Sequence, residues 1–214
     1  MKYSIGEEIA NSVTHGIGVI FSIVVLTIMI VFSSFTHDAG KIISVIIYGL
    51  TLIILYTMST LYHAFTNKTA KKVFQIFDHS SIYLLIAGTY TPYMLGLLCK
   101  YSIKGTIILI LVWVFAIFGV VMSAVFPKKF KILNVISYLL MGWCIVFALP
   151  ELIHVMTNLN IINGLYWLAA GGLFYTIGVI FYAMKNVKYM HFIWHLFVMF
   201  GTVCHFISIM FYII

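Results

Sequence analysis

Arginine is absent from this chain of 214 residues, and charge of either sign is scarce: twelve lysines, five acids, 8% charged residues in all. Soluble domains average roughly a quarter charged residues. So few charges cannot solvate a surface of this size in water, but they suffice if most of it faces lipid. The missing arginine, beside abundant Ile, Lys and Asn, reads as compositional bias and implies no function. Cysteine is equally sparse: Cys99, Cys144 and Cys204 are scattered singly, and an odd, dispersed set excludes a disulfide framework. They read as small packing residues. No internal repeat or low-complexity tract interrupts the chain.

What is present is apolar: 64% of residues are hydrophobic. A helix needs about 20 apolar residues to cross a ~30 Å hydrocarbon layer. Runs of suitable length fall at 15–35, 42–65, 75–98, 105–126, 132–150, 164–184 and 190–212. The breaks between them include Pro127 to Lys131 and Glu151 to Asn163, and breaks so short make neighbouring helices antiparallel. The runs are continuous rather than alternating, which predicts helices and not a barrel. Expected is an all-α integral membrane protein, a single seven-helix domain over residues 1–214. The stretch from Met1 to Glu8 holds two acids and leads into a full-length run, so the first run is expected to stay as a span and not to be a cleaved signal.

Lysine placement orients the bundle. With the N-terminus inside, nine lysines (2, 68, 71, 72, 128, 129, 131, 185 and 188) lie inside and three (41, 100 and 104) outside. That asymmetry predicts a cytoplasmic N-terminus and an external C-terminus. It also accounts for the net charge of +7 as a topology signal, not a nucleic-acid surface. The expected location is the cell membrane.

Orientation then sorts the polar residues by depth. Ser59 and His63 close the second run, Asp78 and His79 open the third, His191 and His195 open the seventh, and His15 opens the first. All fall in one inner-leaflet layer. Histidines four apart on a helix sit roughly 40° apart on one face and ~6 Å along the axis, a spacing that can grip one zinc ion. His63 supplies a third nitrogen from another helix. Three protein ligands leave a fourth position open, the pattern of catalytic zinc. Two interhelical hydrogen-bonding groups are the plainer account of the His191–His195 pair alone.

Asp78 reads as the one acid within the bundle, since Glu7, Glu8, Asp38 and Glu151 fall at ends or loops. An ionisable group at membrane depth is a functional candidate, here as orienting carboxylate or general base, with Ser59 one turn from His63. His205 lies ~15 Å along the last run from His195 and is expected to make a buried hydrogen bond. His79 is expected to point away from Asp78, and His37 and His154 to be interfacial. Pro92 is expected to kink the third run, with Thr89 or Thr91 satisfying the freed backbone.

Together these residues resemble the hemolysin III family, within the wider progestin and adipoQ receptor family. The likeness rests on Glu8-x-x-Asn11-x-x-Thr14-His15, Ser59-x-x-x-His63, Asp78 leading to Ala87-Gly88-Thr89-Tyr90-Thr91-Pro92, and His191-x-x-Trp194-His195 with His205-Phe206 beyond. It implies a seven-helix bundle with zinc held near the cytoplasmic face by His63, His191 and His195. It also implies that Asp78 and Ser59 stand at the positions associated with the water at that zinc. His79 departs from the tyrosine common in eukaryotic relatives. The family resembles alkaline ceramidases in its metal constellation, so a zinc-dependent hydrolase of lipid amides, serving membrane lipid homeostasis, is the first expectation. A non-enzymatic sensor or receptor with structural zinc is the second, and a hemolysin-type pore the third.

Overall fold

The computed structural model describes residues 3–126 and 131–214, apart from the Lys131 side chain; Lys2, Lys128, Lys129 and the break from Pro127 lie outside the described residues. Among the described residues there is no strand. The helices are α1 Ile5–Ser34, α2 Ala39–Ala64, α3 Lys68–Met94, α4 Ile103–Val125, α5 Lys131–Trp143, α6 Leu149–Asn158, α7 Asn163–Ala183 and α8 Met190–Ser208. A 3₁₀ stretch, Cys144–Ala148, joins α5 to α6, and a π turn, Ile209–Ile213, extends α8.

Among the described residues, six segments are long and apolar enough to cross a membrane: α1, α2, α4, Ile132–Asn158, α7, and α8 with its π turn. The protein is a multi-pass cell-membrane protein. α3 is long enough, but it carries Lys68, Lys71, Lys72 and Asp78 and is rich in Tyr and Thr. Nearly everything from Ser80 to Met94 on α3 is buried or half-buried between its neighbours. A helix packed against protein on most sides need not be apolar towards lipid.

α1 shows the inverse sorting. Ile5, Ile9, Val13, Ile17 and Ile20 are exposed, whereas Glu8, Asn11, His15, Gly18, Ser22 and Val25 are buried. The buried set steps by three and four residues, one face of a helix. In lipid the apolar face turns outward and the small or polar face packs. Close approach is built the same way between α2 and α3. A Cβ added to Gly88 would stand 2.0 Å from Thr51 Oγ1, so only glycine fits that crossing.

Several boundaries differ from expectation. α1 begins ten residues before the first apolar run, because Ser4 and Glu7 form a capping box. α3 begins at Lys68, capped by Asn67. Most of the expected polar break from Glu151 is the helix α6, opened by Pro150 in its first turn. Pro92 lies within α3, but Thr89 and Thr91 donate to the carbonyls of Leu85 and Ala87, not to that of Gly88, which the proline leaves free.

Contacts place the chain ends. Glu7 Oε1 accepts from the Tyr189 backbone N–H at 2.9 Å, so the N-terminus lies beside the α7–α8 connection. Lys41 Nζ donates to the Ile214 carbonyl at 3.0 Å, so the C-terminus lies beside the start of α2. Asp38 pairs with Lys100, and Glu151 with Lys104. The Lys100 ammonium beside Asp38 holds its carboxyl below the usual range.

Candidate metal centre

His63 sits in the last turn of α2, His191 and His195 in the first turns of α8. One nitrogen from each lies within 4.8 Å of the others. The Nε2 atoms of His191 and His195 are 3.2 Å apart, close to the about 3.3 Å between two nitrogens on tetrahedral zinc at ~2.05 Å. The i, i+4 spacing predicted that pair, and the meeting of α2 with α8 supplies the third imidazole.

Two of the three rings are held in one tautomer. His63 Nδ1 donates to Glu8 Oε2 at 2.7 Å, and Glu8 Oε1 lies 2.9 Å from the Lys71 ammonium. His195 Nδ1 donates to the Asn11 carbonyl at 3.3 Å. Each hydrogen bond leaves Nε2 with its lone pair outward, the usual preparation of a metal-ligating histidine. His63 Nε2 is buried and has no hydrogen-bond partner among the described residues. The donor set, its spacing and this orphaned nitrogen fit a divalent cation.

Glu8 corrects the sequence reading. It is 7% exposed and lies inside the bundle, as does Glu7, so Asp78 is not the one acid there. The signal was in the sequence: Ser4-x-x-Glu7 is a capping-box pattern. It starts the helix at residue 5 and brings Glu8, Asn11 and His15 onto one face.

Ser59 and Asp78 border the same cavity as two of the three histidines, a space of about 220 Å³ lined by His15, His191 and His195. His79 lines the same cavity, against the expectation that it would face elsewhere. His15 stacks on His195 with ring centroids 3.6 Å apart, and neither of its nitrogens has a hydrogen-bond partner among the described residues. Tyr3 stacks on His191 at 5.0 Å. Burial pushes the Tyr3 phenol up from its ordinary value. Tyr3, Tyr182 and Trp194 also line the cavity; Trp194 stood in the last-run motif, whereas sequence reasoning did not single out Tyr3 or Tyr182.

A larger chamber of about 400 Å³ adjoins it, sharing Leu55, His79, Ile82, Tyr182, Trp194 and Val198. His205 lines this chamber and not the smaller cavity. His37 occupies the α1–α2 turn with φ 52°, and His154 bonds Asn158 on α6; neither belongs to the cluster.

Comparison with known proteins fixes the lineage of this arrangement. The family described as Haemolysin-III related matches residues 3–206. The chain belongs to that family. It is 41% identical to the "Hemolysin-3 homolog" of Bacillus subtilis (strain 168), over 98% of this chain and 96% of the relative. It is 38% identical to "Hemolysin-3" of Bacillus cereus, over 100% and 95% respectively. The human "Monocyte to macrophage differentiation factor" is 30% identical, over 95% of this chain and 83% of its own length. The resemblance drawn from four short motifs thus extends over the haemolysin-III chain as a whole.

Proposed function

We propose that this haemolysin-III protein is a zinc-dependent, ceramidase-like hydrolase of lipid amides that serves membrane lipid homeostasis. The observation that carries the reading is the convergence of three imidazoles beside a cavity lined by Ser59 and Asp78. His63, His191 and His195 hold the metal. Zinc bound there supplies a Lewis acid and lowers the pKa of water towards ~7.

The chain's own residues do the rest. Asp78 takes a proton from the water that attacks the amide carbonyl and returns it to the departing amine as the C–N bond breaks. Ser59 donates to the carbonyl oxygen as charge develops on it. Glu8 holds His63 in register for the metal. The adjoining chamber, walled by Leu85, Ile86, Tyr90 and Leu139 among others, is of a size and character for a lipid chain. A lipid reaches it sideways between helices.

This reading includes the membrane arrangement: one domain of seven crossings, N-terminus cytoplasmic and C-terminus outside. The contacts of Glu7 with Tyr189 and of Lys41 with Ile214 support termini at opposite ends, which needs an odd number of crossings. The six apolar segments and α3 make seven.

The test is lipid turnover by purified protein, following fatty acid released from ceramide-type amides. Wild type releases it, His195→Ala does not, and Asp78→Asn keeps zinc while losing turnover. Unchanged turnover in His195→Ala rules the hydrolase out. Zinc retained by wild type with no turnover of any lipid amide puts a sensor with structural zinc in its place. Reproducible zinc-dependent conductance in a planar bilayer favours a pore.

A further inference from the structure

His205 is 4% exposed, and its buried Nδ1 has no hydrogen-bond partner among the described residues. It lines the apolar chamber on the α8 helix, ten residues beyond His195. Its ring is fixed in place. A Cβ on Gly171 of α7 would stand 2.7 Å from His205 Nε2, and the Tyr175 ring packs at 5.2 Å. The neighbouring Tyr175 hydroxyl has its proton committed to Thr202 Oγ1 at 3.1 Å, since Thr202 itself donates to the Val198 carbonyl. Thr202 also bonds Tyr56 Oη at 2.8 Å. A buried imidazole left unpaired is costly, and buried polar groups are nearly always satisfied. The partner therefore comes from the chamber.

We infer that His205 is a specificity residue that recognises a hydroxyl on the middle of a lipid acyl chain lying in this chamber. The inference rests on the lipid-amide reading, which puts the carbonyl end of the chain at the three histidines. Neutral imidazole offers one donor and one acceptor, and a hydroxyl can be either, so it satisfies whichever tautomer is present. Ten helical residues span ~15 Å, which sets the hydroxyl well down the chain and away from the head. The remaining walls of the chamber are mostly apolar, with Ile86, Leu139 and Val179 among them. They hold any chain without choosing among substituents. A site built to pair with a hydroxyl rejects the analogue that lacks one far more strongly than an apolar pocket rejects an added methylene.

The experiment compares stearic acid, 2-hydroxystearic acid and 12-hydroxystearic acid as ligands, measured by displacement of a fluorescent fatty acid from the purified full chain in detergent. Wild type is expected to bind the 12-hydroxy acid at least ~10-fold more tightly than stearic acid, with no such gain for the 2-hydroxy acid. In His205→Leu the preference disappears while stearic acid still binds. His205→Gln, which keeps a donor and an acceptor, retains part of the preference, and it serves as the variant if His205→Leu does not fold. Stearic acid binding with no 12-hydroxy preference in wild type overturns this inference and leaves the lipid-amide reading standing. A preference that persists in His205→Leu does the same. Failure of all three acids to bind overturns both.

Discussion

The Glu8 carboxylate lies 2.7 Å from Nδ1 of His63, tying the first turns of α1 to the last turn of α2 at the mouth of the histidine cluster. A carboxylate so placed raises ligand basicity and fixes the ring, and loss of such a partner typically costs 10–100-fold in metal affinity. Glu8→Ala is therefore expected to weaken zinc binding by about that factor. Glu8→Gln, whose amide oxygen still accepts from Nδ1, weakens it less. Competition with a chelating dye measures both, and equal affinity in wild type and Glu8→Ala refutes the assignment.

The crossing of α2 and α3 gives a stability prediction. Gly88→Ala forces a methyl into Thr51 and is expected to destabilise by about 1–3 kcal/mol, as overpacking does. Gly172→Ala meets nothing within 4 Å and is expected to be neutral or slightly stabilising, since alanine is the better helix former. Thermal unfolding in detergent compares the two, and equal effects contradict the packing.

At the other end, Asp38 caps α2 through Gly40 N–H at 2.9 Å and Lys41 N–H at 3.3 Å and pairs with Lys100. Asp38→Ala is expected to cost about 1 kcal/mol, the usual value of an N-cap; Asp38→Asn keeps the cap and costs less. The folded pKa of Asp38 lies below its ordinary 3.8. Its contribution is thus present above that value and lost as pH falls through the folded pKa. The stability gap between wild type and Asp38→Asn should therefore close in acid, below about pH 3.8. A gap that widens there contradicts the assignment.

The sequence carried much of this in advance, and the misses share a cause. Apolar runs located α2, α4, α7 and α8 to within a few residues, because lipid exposure demands long apolar stretches. α1 and α3 were cut short, since their first turns carry Glu7, Glu8 and Lys68 to Lys72; hydropathy registers neither the buried acids of α1 nor the exposed lysine turn of α3 as helix. The pairing of His191 with His195 follows from helical spacing. The meeting of His63 with that pair is tertiary and came from depth and family likeness. Asp78 took the role of supporting carboxylate because Glu8 was counted as a chain end. Only the packing of α1 against α2 turns that end inward.

The most direct test is the zinc content of the purified protein after chelation and re-addition of metal, for wild type and single alanine variants. The account predicts one zinc per chain in wild type. It predicts loss in His63→Ala, His191→Ala and His195→Ala, and full retention in His37→Ala and His205→Ala. Zinc retained by all three cluster variants, or lost equally from His37→Ala, would contradict it.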